Sequence, residues 1–160
     1  MSEAPEPRVD PDVDLRVPAD RNEWPARPVA VLGAVAAGGA LGALARAGLG
    51  QAFPYPPAGF GWSTLGVNVT GCLLIGVLMA VLDRAGGGRP LTRPFLGVGV
   101  LGGFTTFSTS VVDVHRALAA GAVATAAGYL TATVVGALVA VWLGDTATRR
   151  LLGPAAGDAR

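Results

Sequence analysis

Two pairs of polar side chains recur at a four-residue spacing inside apolar stretches of the sequence. Thr64 and Asn68 form the first pair, and Tyr129 and Thr133 form the second. Residues four apart share one face of a helix, so each pair lines one side of its helix. An amide in hydrocarbon is costly unless it is hydrogen-bonded. The pairs therefore serve either as hydrogen bonds between helices or as the lining of a polar pathway.

The chemistry of these side chains suits an anion better than a cation. Asn offers two N–H donors, hydroxyl groups turn as required, and aromatic ring edges carry the positive part of the ring quadrupole. A proton-coupled exporter of cationic drugs needs a carboxylate in its first span, and 29–44 contains none. An enzyme is disfavoured because His115 has no partner residues with which to form a catalytic site.

A third polar feature is the stretch GGFTTFSTS, residues 102–110. Paired Gly and β-branched Thr are poor helix formers, and a helix broken at mid-membrane depth frees carbonyl groups for an ion, water or another chain. Alternatively, the helix is continuous and the Thr and Ser hydroxyls bond back to earlier carbonyls. The residues alone leave both interpretations open.

Composition places these features in a membrane. Of the 160 residues, 51% are hydrophobic and 14% are charged. Seven of the eleven acidic residues precede residue 24, and 29–82 carries one formal charge, that of Arg46. Charged side chains are costly in the hydrocarbon of a bilayer, so membrane spans contain few of them. A net charge of +1 gives no basis for binding nucleic acid.

The chain divides into an acidic, Pro-rich tail, a membrane domain and a short polar tail. We expect residues 1–28 to be a disordered cytoplasmic tail, because they can bury too little apolar surface to offset ordering entropy. Four apolar segments, each near the roughly 20 residues that a bilayer requires, fill a channel domain at 29–144 and are followed by the polar tail 145–160. The segments run over about 29–53, 62–82, 94–118 and 121–143.

These segments predict an all-α integral membrane protein of four transmembrane helices, with both termini on one side. Gly38 and Gly42 in the first span, and Gly128 and Gly136 in the fourth, lie at spacings that let helix backbones approach closely. We expect a tightly packed bundle that is completed by a second subunit, since four short helices offer little interior for a pore.

The sequence resembles the small four-span bacterial fluoride channels of the Fluc, or CrcB, family. The resemblance covers about 31–144 and rests on GALARAGL, GWSTLGVNVTGCLLIG, GVLGGFTTFSTS and GYLTATVVGALVAVWLG. It implies an antiparallel assembly of two subunits with the third helix broken near its middle. It also implies passive fluoride export through two narrow pores, and a structural, non-transported Na+ held by backbone carbonyls of Gly102 and Thr105 from both subunits.

The resemblance also assigns roles to side chains. Asn68 would donate to fluoride, and the ring edge of Phe107 would flank the ion. The remaining pathway residues would supply hydroxyl groups, and they are Thr64, Ser108, Thr109, Tyr129 and Thr133. Arg46 and Asp113 match the vestibule, where Asp113 stands in place of a Glu. Ser110 replaces the second Phe of the family pattern, so that we expect Ser110 to line a pore that lacks one ring.

The distribution of Arg residues predicts orientation. Ten Arg residues outside the spans lie on the side of the termini, against Arg116 on the other side. The positive-inside rule then predicts both termini in the cytoplasm of a bacterial plasma membrane. Such a bias discourages insertion in both directions.

Two assemblies stay open: a homodimer that tolerates Ser110, or an obligate pair with an oppositely biased paralogue and one degenerate pore. A third alternative is a structural protein whose polar stripes and Na+ site only hold helices together.

Overall fold

The computed structural model describes residues 28–56, 59–85 and 90–153. The tail expected at 1–28 therefore lies outside the described residues except for Pro28, and 154–160 lie outside them as well. Every regular element in the described part is a helix. The elements are α1 (Pro28–Ala52), α2 (Trp62–Arg84), α3 (a π-helical segment Arg93–Leu101 followed by an α-helical turn Gly102–Phe104), α4 (Ser108–Ala119) and α5 (Val123–Leu152).

Four stretches of the described chain are long and apolar enough to cross a membrane. They are Pro28–Ala52, Trp62–Arg84, Arg93–Ala119 and Val123–Leu152. The prediction of a four-span, all-helical membrane protein is confirmed. The helix of the fourth span, α5, extends past residue 143. Arg149 near its end pairs with Asp145, one turn earlier, at 2.8 Å, and with Asp83 at the end of α2 at 3.0 Å. These ion pairs support a polar final part of α5 that hydropathy alone does not indicate.

The third span is interrupted, so the unbroken-helix alternative is wrong. The Gly102 N–H still donates to the Gly97 carbonyl, five residues earlier, at the end of the π-helical segment. Thr105 is extended, with φ −75° and ψ 162°, and α4 begins only at Ser108. The Thr105 hydroxyl donates back to the Leu101 carbonyl at 3.0 Å, so the back-bonding considered for this stretch occurs at the end of α3.

Glycine allows two pairs of spans to pack backbone against backbone. A Cβ placed at Gly42 would meet the Val100 carbonyl of α3, and one at Gly76 would meet the Val141 carbonyl of α5. Gly38 repeats the first contact one turn away, against Phe95. In α5 the tight position is Gly144, against Leu73, whereas a Cβ at Gly128 has nothing within 4 Å. Close approach of this kind drives helix association where lipid removes the hydrophobic term.

The buried interior is small in side-chain volume and rich in polar groups. Its apolar members are Val67, Ala80, Leu82, Ala117, Ala126, Tyr129 and Ala140. Its polar members are Thr64, Asn68, Ser110, Asp113 and Thr148. Four of these five polar residues come from the start of α2 and from α4, next to the interruption. The fold therefore concentrates hydrogen-bonding groups around the broken third span.

Gly42→Ala is expected to destabilise the protein by about 1–3 kcal/mol or more, since the added methyl group would overlap backbone atoms of α3 that cannot rotate away. The measurement is the midpoint of thermal unfolding in detergent, followed by Trp fluorescence. Gly33→Ala, on the same helix with nothing within 4 Å of its Cβ, is the matched control. Equal losses in the two variants would contradict the packing argument.

Candidate functional site

The side chain of Asn68 pairs with both backbone groups of Thr106 at the interruption. Its Oδ1 accepts the Thr106 N–H at 2.8 Å, and its Nδ2 donates to the Thr106 carbonyl at 2.8 Å. Asn68 is buried on α2. The amide thus satisfies the polar backbone that a broken helix exposes, which hydrocarbon cannot do.

This pairing changes the hydrogen bonding of two carbonyl groups. In a continuous helix the N–H groups of Thr106 and Thr109 would bond the carbonyls four residues earlier, those of Gly102 and Thr105. Instead the Thr106 N–H donates to Asn68, and the Thr109 N–H donates to the Thr106 hydroxyl oxygen at 3.2 Å. The two positions predicted to bind Na+ therefore lose their usual helical donors. Both residues line one shallow depression of about 180 Å³.

Ser110 is turned into the helix bundle and is only 4% exposed. Its Oγ accepts from Asn68 Nδ2 at 3.0 Å and from the Tyr129 hydroxyl at 3.4 Å, and it donates to the Thr106 carbonyl at 3.3 Å. Asn68 has two N–H donors. One reaches Thr106 and the other reaches Ser110, so both donors expected to face fluoride have partners inside the chain.

Asp113 is enclosed rather than open to a vestibule, and it is 5% exposed. Its Oδ2 accepts from the Tyr55 hydroxyl at 2.5 Å. It also lies 3.4 Å from the Tyr129 hydroxyl, whose one proton serves either this oxygen or Ser110 Oγ at the same distance. The Arg116 guanidinium lies 3.7 Å from the other carboxylate oxygen. Burial, and next the hydrogen bond to Asp113, raise the pKa of Tyr55 to about 12, so that its phenol stays a proton donor at neutral pH.

Beside this cluster lies a cavity of about 380 Å³ that we call the arginine cavity. Arg46 and Arg116 supply its two guanidinium groups, and Arg46 Nε donates to the Gly103 carbonyl at 3.2 Å. The polar remainder of its lining comes from Tyr55, Ser63, Thr64, Thr106 and Thr109. Two cations and several hydroxyl groups make this cavity attractive to small anions.

A second recess, the Phe107 groove, has a volume of about 270 Å³ and lies between α2, α4 and α5. Asn68, Phe107, Ser110 and Thr133 are among its lining residues. The Phe107 ring is on the surface of the chain, with an exposed fraction of 80%. In the described part of the chain the buried Thr133 hydroxyl has no hydrogen-bond partner within 3.5 Å, although it lies near enough to the Tyr129 hydroxyl to interact with it.

The predicted pathway residues thus divide between two recesses. Thr64 and Thr109 line the arginine cavity. Tyr129 is buried and lines neither recess, and its hydroxyl is within reach of Ser110, which lines the groove, and of Asp113. Ser108 is exposed and contributes to neither recess, and its hydroxyl lies 3.3 Å from that of Thr106. Thr106 lines both recesses.

A family model described as CrcB-like protein, Camphor Resistance (CrcB), matches residues 33–145, which is well over half of the chain. The chain belongs to the CrcB family.

Relatives support this assignment across most of their length. The protein named fluoride-specific ion channel FluC 2 of Thermobifida fusca is 56% identical over 133 residues, covering 83% of this chain and 95% of the relative. FluC 1 of Streptomyces coelicolor is 49% identical over 122 residues, covering 76% and 79% respectively. FluC 2 of Nocardia farcinica is 49% identical over 126 residues, covering 79% and 90%.

Three residues of this CrcB chain that form the site were not among the predicted site residues. Thr106 acts through its backbone, and only its place between Gly and Ser/Thr pairs hinted at an interruption. Arg116 was counted only for charge. Tyr55 lies in the connection between α1 and α2, among Pro residues that indicated a loop. A loop residue's reach depends on the packing of distant helices, so its sequence pattern carries no signal of this contact.

Asn68→Ala is expected to destabilise this CrcB chain more than Ser110→Ala does. The first variant leaves the Thr106 N–H without its acceptor, at about 1–3 kcal/mol, and leaves the Thr106 carbonyl with only the longer bond from Ser110 at 3.3 Å, whereas the second keeps both groups paired with Asn68. Thermal unfolding in detergent measures both. Thr70→Ala, at an exposed position of the same helix, is the control. If Ser110→Ala cost as much as Asn68→Ala, the pairing with Thr106 would not be what holds the interruption.

Proposed function

We propose that this chain forms a fluoride-specific ion channel of the bacterial plasma membrane, which lets fluoride leave passively and so lowers its cytoplasmic concentration. The observation that carries the proposal is the identity of 56% to a relative named fluoride-specific ion channel, over 95% of that relative. The chemistry of the site agrees with it, because guanidinium, hydroxyl and amide donors line the recesses.

Fluoride is small and strongly hydrated, so passage requires several weak donors that together replace water without trapping the ion. Arg46 and Arg116 attract the anion into the arginine cavity, and Thr64 and Thr109 offer hydroxyl groups there. The Phe107 groove offers the Thr133 hydroxyl and the ring edge of Phe107. An N–H of Asn68 reaches the anion only when it leaves Ser110 or Thr106, so conduction exchanges an internal hydrogen bond for one to fluoride.

A second subunit in antiparallel orientation would complete the pores. The Phe107 ring is 80% exposed, and an aromatic ring at the edge of an open groove is well placed to meet a facing helix. Membrane lipid would cover the remaining apolar surface. The excess of Arg on the side of the termini orients this chain with both termini in the cytoplasm.

A structural Na+ would be held by the carbonyl oxygens of Gly102 and Thr105 from both subunits. Carbonyl oxygens suit a hard monovalent cation. The amides that would otherwise bond these two carbonyls donate to Asn68 and to the Thr106 hydroxyl, which fits this role. When bound, the ion supplies a fixed positive field at the interruption and is not transported.

A second candidate is one subunit of an obligate heterodimeric channel. Ser110 accepts one N–H of Asn68, so this N–H is not free to bind fluoride, and the pore lined by Asn68 conducts less well. The Arg distribution opposes insertion in the second orientation, so an oppositely biased paralogue would supply it. The names FluC 1 and FluC 2 among the relatives carry numbers, which fits genomes that encode more than one such chain.

Fluoride efflux from liposomes tests the function and separates the two assemblies. Liposomes holding the purified chain alone are expected to release fluoride, measured with a fluoride electrode, and to retain chloride. Efflux only after addition of a second CrcB-family chain from the same genome would establish the obligate pair. No efflux in either preparation would overturn the proposed function.

Phe107→Ala tests whether fluoride passes through the Phe107 groove. Loss of a ring-edge contact is expected to lower flux by roughly tenfold, the factor for about 1.4 kcal/mol. The elution volume in size-exclusion chromatography should stay unchanged. Undiminished flux from an intact assembly would mean that the Phe107 groove is not the pore and that its polar residues only hold helices together.

Removal of Na+ tests the structural ion. Protein purified and reconstituted in N-methyl-D-glucamine salts is expected to lose flux and to unfold at a lower temperature, because four carbonyl dipoles would face one another without a cation. Added Na+ should restore both properties, and the same concentration of N-methyl-D-glucamine is the control. Equal flux and stability with and without Na+ would contradict the assignment.

A further inference from the structure

One residue outside the four spans reaches the polar cluster. Tyr55 lies in the connection between α1 and α2, and its hydroxyl donates to Asp113 Oδ2 at 2.5 Å. The Tyr55 hydroxyl oxygen also lies 2.9 Å from the Thr64 hydroxyl. A phenol has one proton, so Thr64 is the donor in that second bond. Tyr55 also lines the arginine cavity, which the proposed function makes the entrance for fluoride.

The carboxylate of Asp113 poses an electrostatic problem in such a place. A bare negative charge at the edge of an anion pathway repels the permeating ion, and the repulsion is strong where water is scarce. Three groups act against it: the Tyr55 hydroxyl at 2.5 Å, the Tyr129 hydroxyl at 3.4 Å and the Arg116 guanidinium at 3.7 Å. The Arg116 side chain is 56% exposed, so solvent weakens its effect.

We propose that Tyr55 is a positioning residue that masks the negative charge of Asp113 at the entrance of the anion pathway. The proposal rests on the proposed function. Tyr55 makes the shortest of the three contacts and stands between the carboxylate and the arginine cavity, which it lines. Its phenol, whose pKa is about 12, keeps its proton at neutral pH and so stays a donor to the carboxylate.

Removal of the Tyr55 hydroxyl has two opposing consequences. It exposes the Asp113 charge, which lowers anion entry, and it frees the Thr64 hydroxyl, which offers the anion one more donor. The charge dominates, because a monopole acts over a longer range than one hydroxyl dipole. We therefore expect a net loss of flux.

Tyr55→Phe in the conducting assembly is expected to lower fluoride efflux at low ionic strength by about tenfold, the range for a hydrogen bond to a charged group. Phe53→Leu, an exposed change in the same connection, is the matched control. Undiminished efflux from a correctly assembled Tyr55→Phe protein would overturn the mask, because the buried Asp113 charge would then not act on the anion.

The double variant decides between charge and packing. Asp113→Asn removes the charge and is expected to conduct at least as well as the parent, and Tyr55→Phe/Asp113→Asn should match Asp113→Asn. An equal loss from Tyr55→Phe in both backgrounds would overturn the proposal, as would the absence of flux in a correctly assembled Asp113→Asn protein. If Asp113→Asn does not assemble, Asp113→Ser serves as the uncharged background for the same comparison. No flux from the parent assembly would refute the proposed function, whereas a conducting parent with an unaffected Tyr55→Phe would refute only the mask.

Discussion

The pairing of the Asn68 amide with both backbone groups of Thr106 is the interaction on which the rest of the site depends. Hydrocarbon offers no partner for a free N–H or carbonyl, so a span can be interrupted only where side chains replace the lost helical bonds. One planar amide supplies a donor and an acceptor at 2.8 Å each. Because the Thr106 amide is taken by Asn68, α3 ends at Phe104, and the Gly102 carbonyl loses its usual donor.

The side chain of Asn is short, so Asn68 reaches Thr106 only if α2 lies close to the interruption. Glycine makes this close approach possible. A Cβ placed at Gly71, three residues after Asn68, would meet the Thr105 side chain, so the start of α2 approaches the interruption only as closely as glycine permits. On the other side of α3, Gly42 and Gly103 bring α1 into backbone contact. The interruption is therefore held between two helices at near-backbone distance, which explains how a segment with few large buried side chains is fixed in place.

The sequence was sufficient to predict the spans, because apolar length is a local signal. The Gly and Thr pairs marked where a break could lie, but they left a continuous helix open, and only the family resemblance implied the interruption. The sequence also indicated Gly38 and Gly42 as contact positions. It could not predict that Asn68 pairs with a backbone rather than with an ion, because helical periodicity defines a face but not the neighbour of that face. The inward rotation of Ser110 and the reach of Tyr55 depend on how α2, α4 and α5 pack together. The extension of α5 was foreseeable in part, since Asp145 and Arg149 stand one turn apart.

Ser110 shows why a pathway through a membrane protein needs internal hydrogen bonds as well as donors for its ion. Without a permeating anion, an unpaired amide N–H at this depth would cost about 1–3 kcal/mol. Ser110 accepts that N–H, and also the Tyr129 hydroxyl, whereas a Phe at the same position could accept neither. The same bond competes with the ion for the donor. In the proposed pathway, a hydroxyl at position 110 would therefore stabilise the site without its ion and raise the free energy needed to admit fluoride, so that folding and conduction would place opposite demands on one side chain.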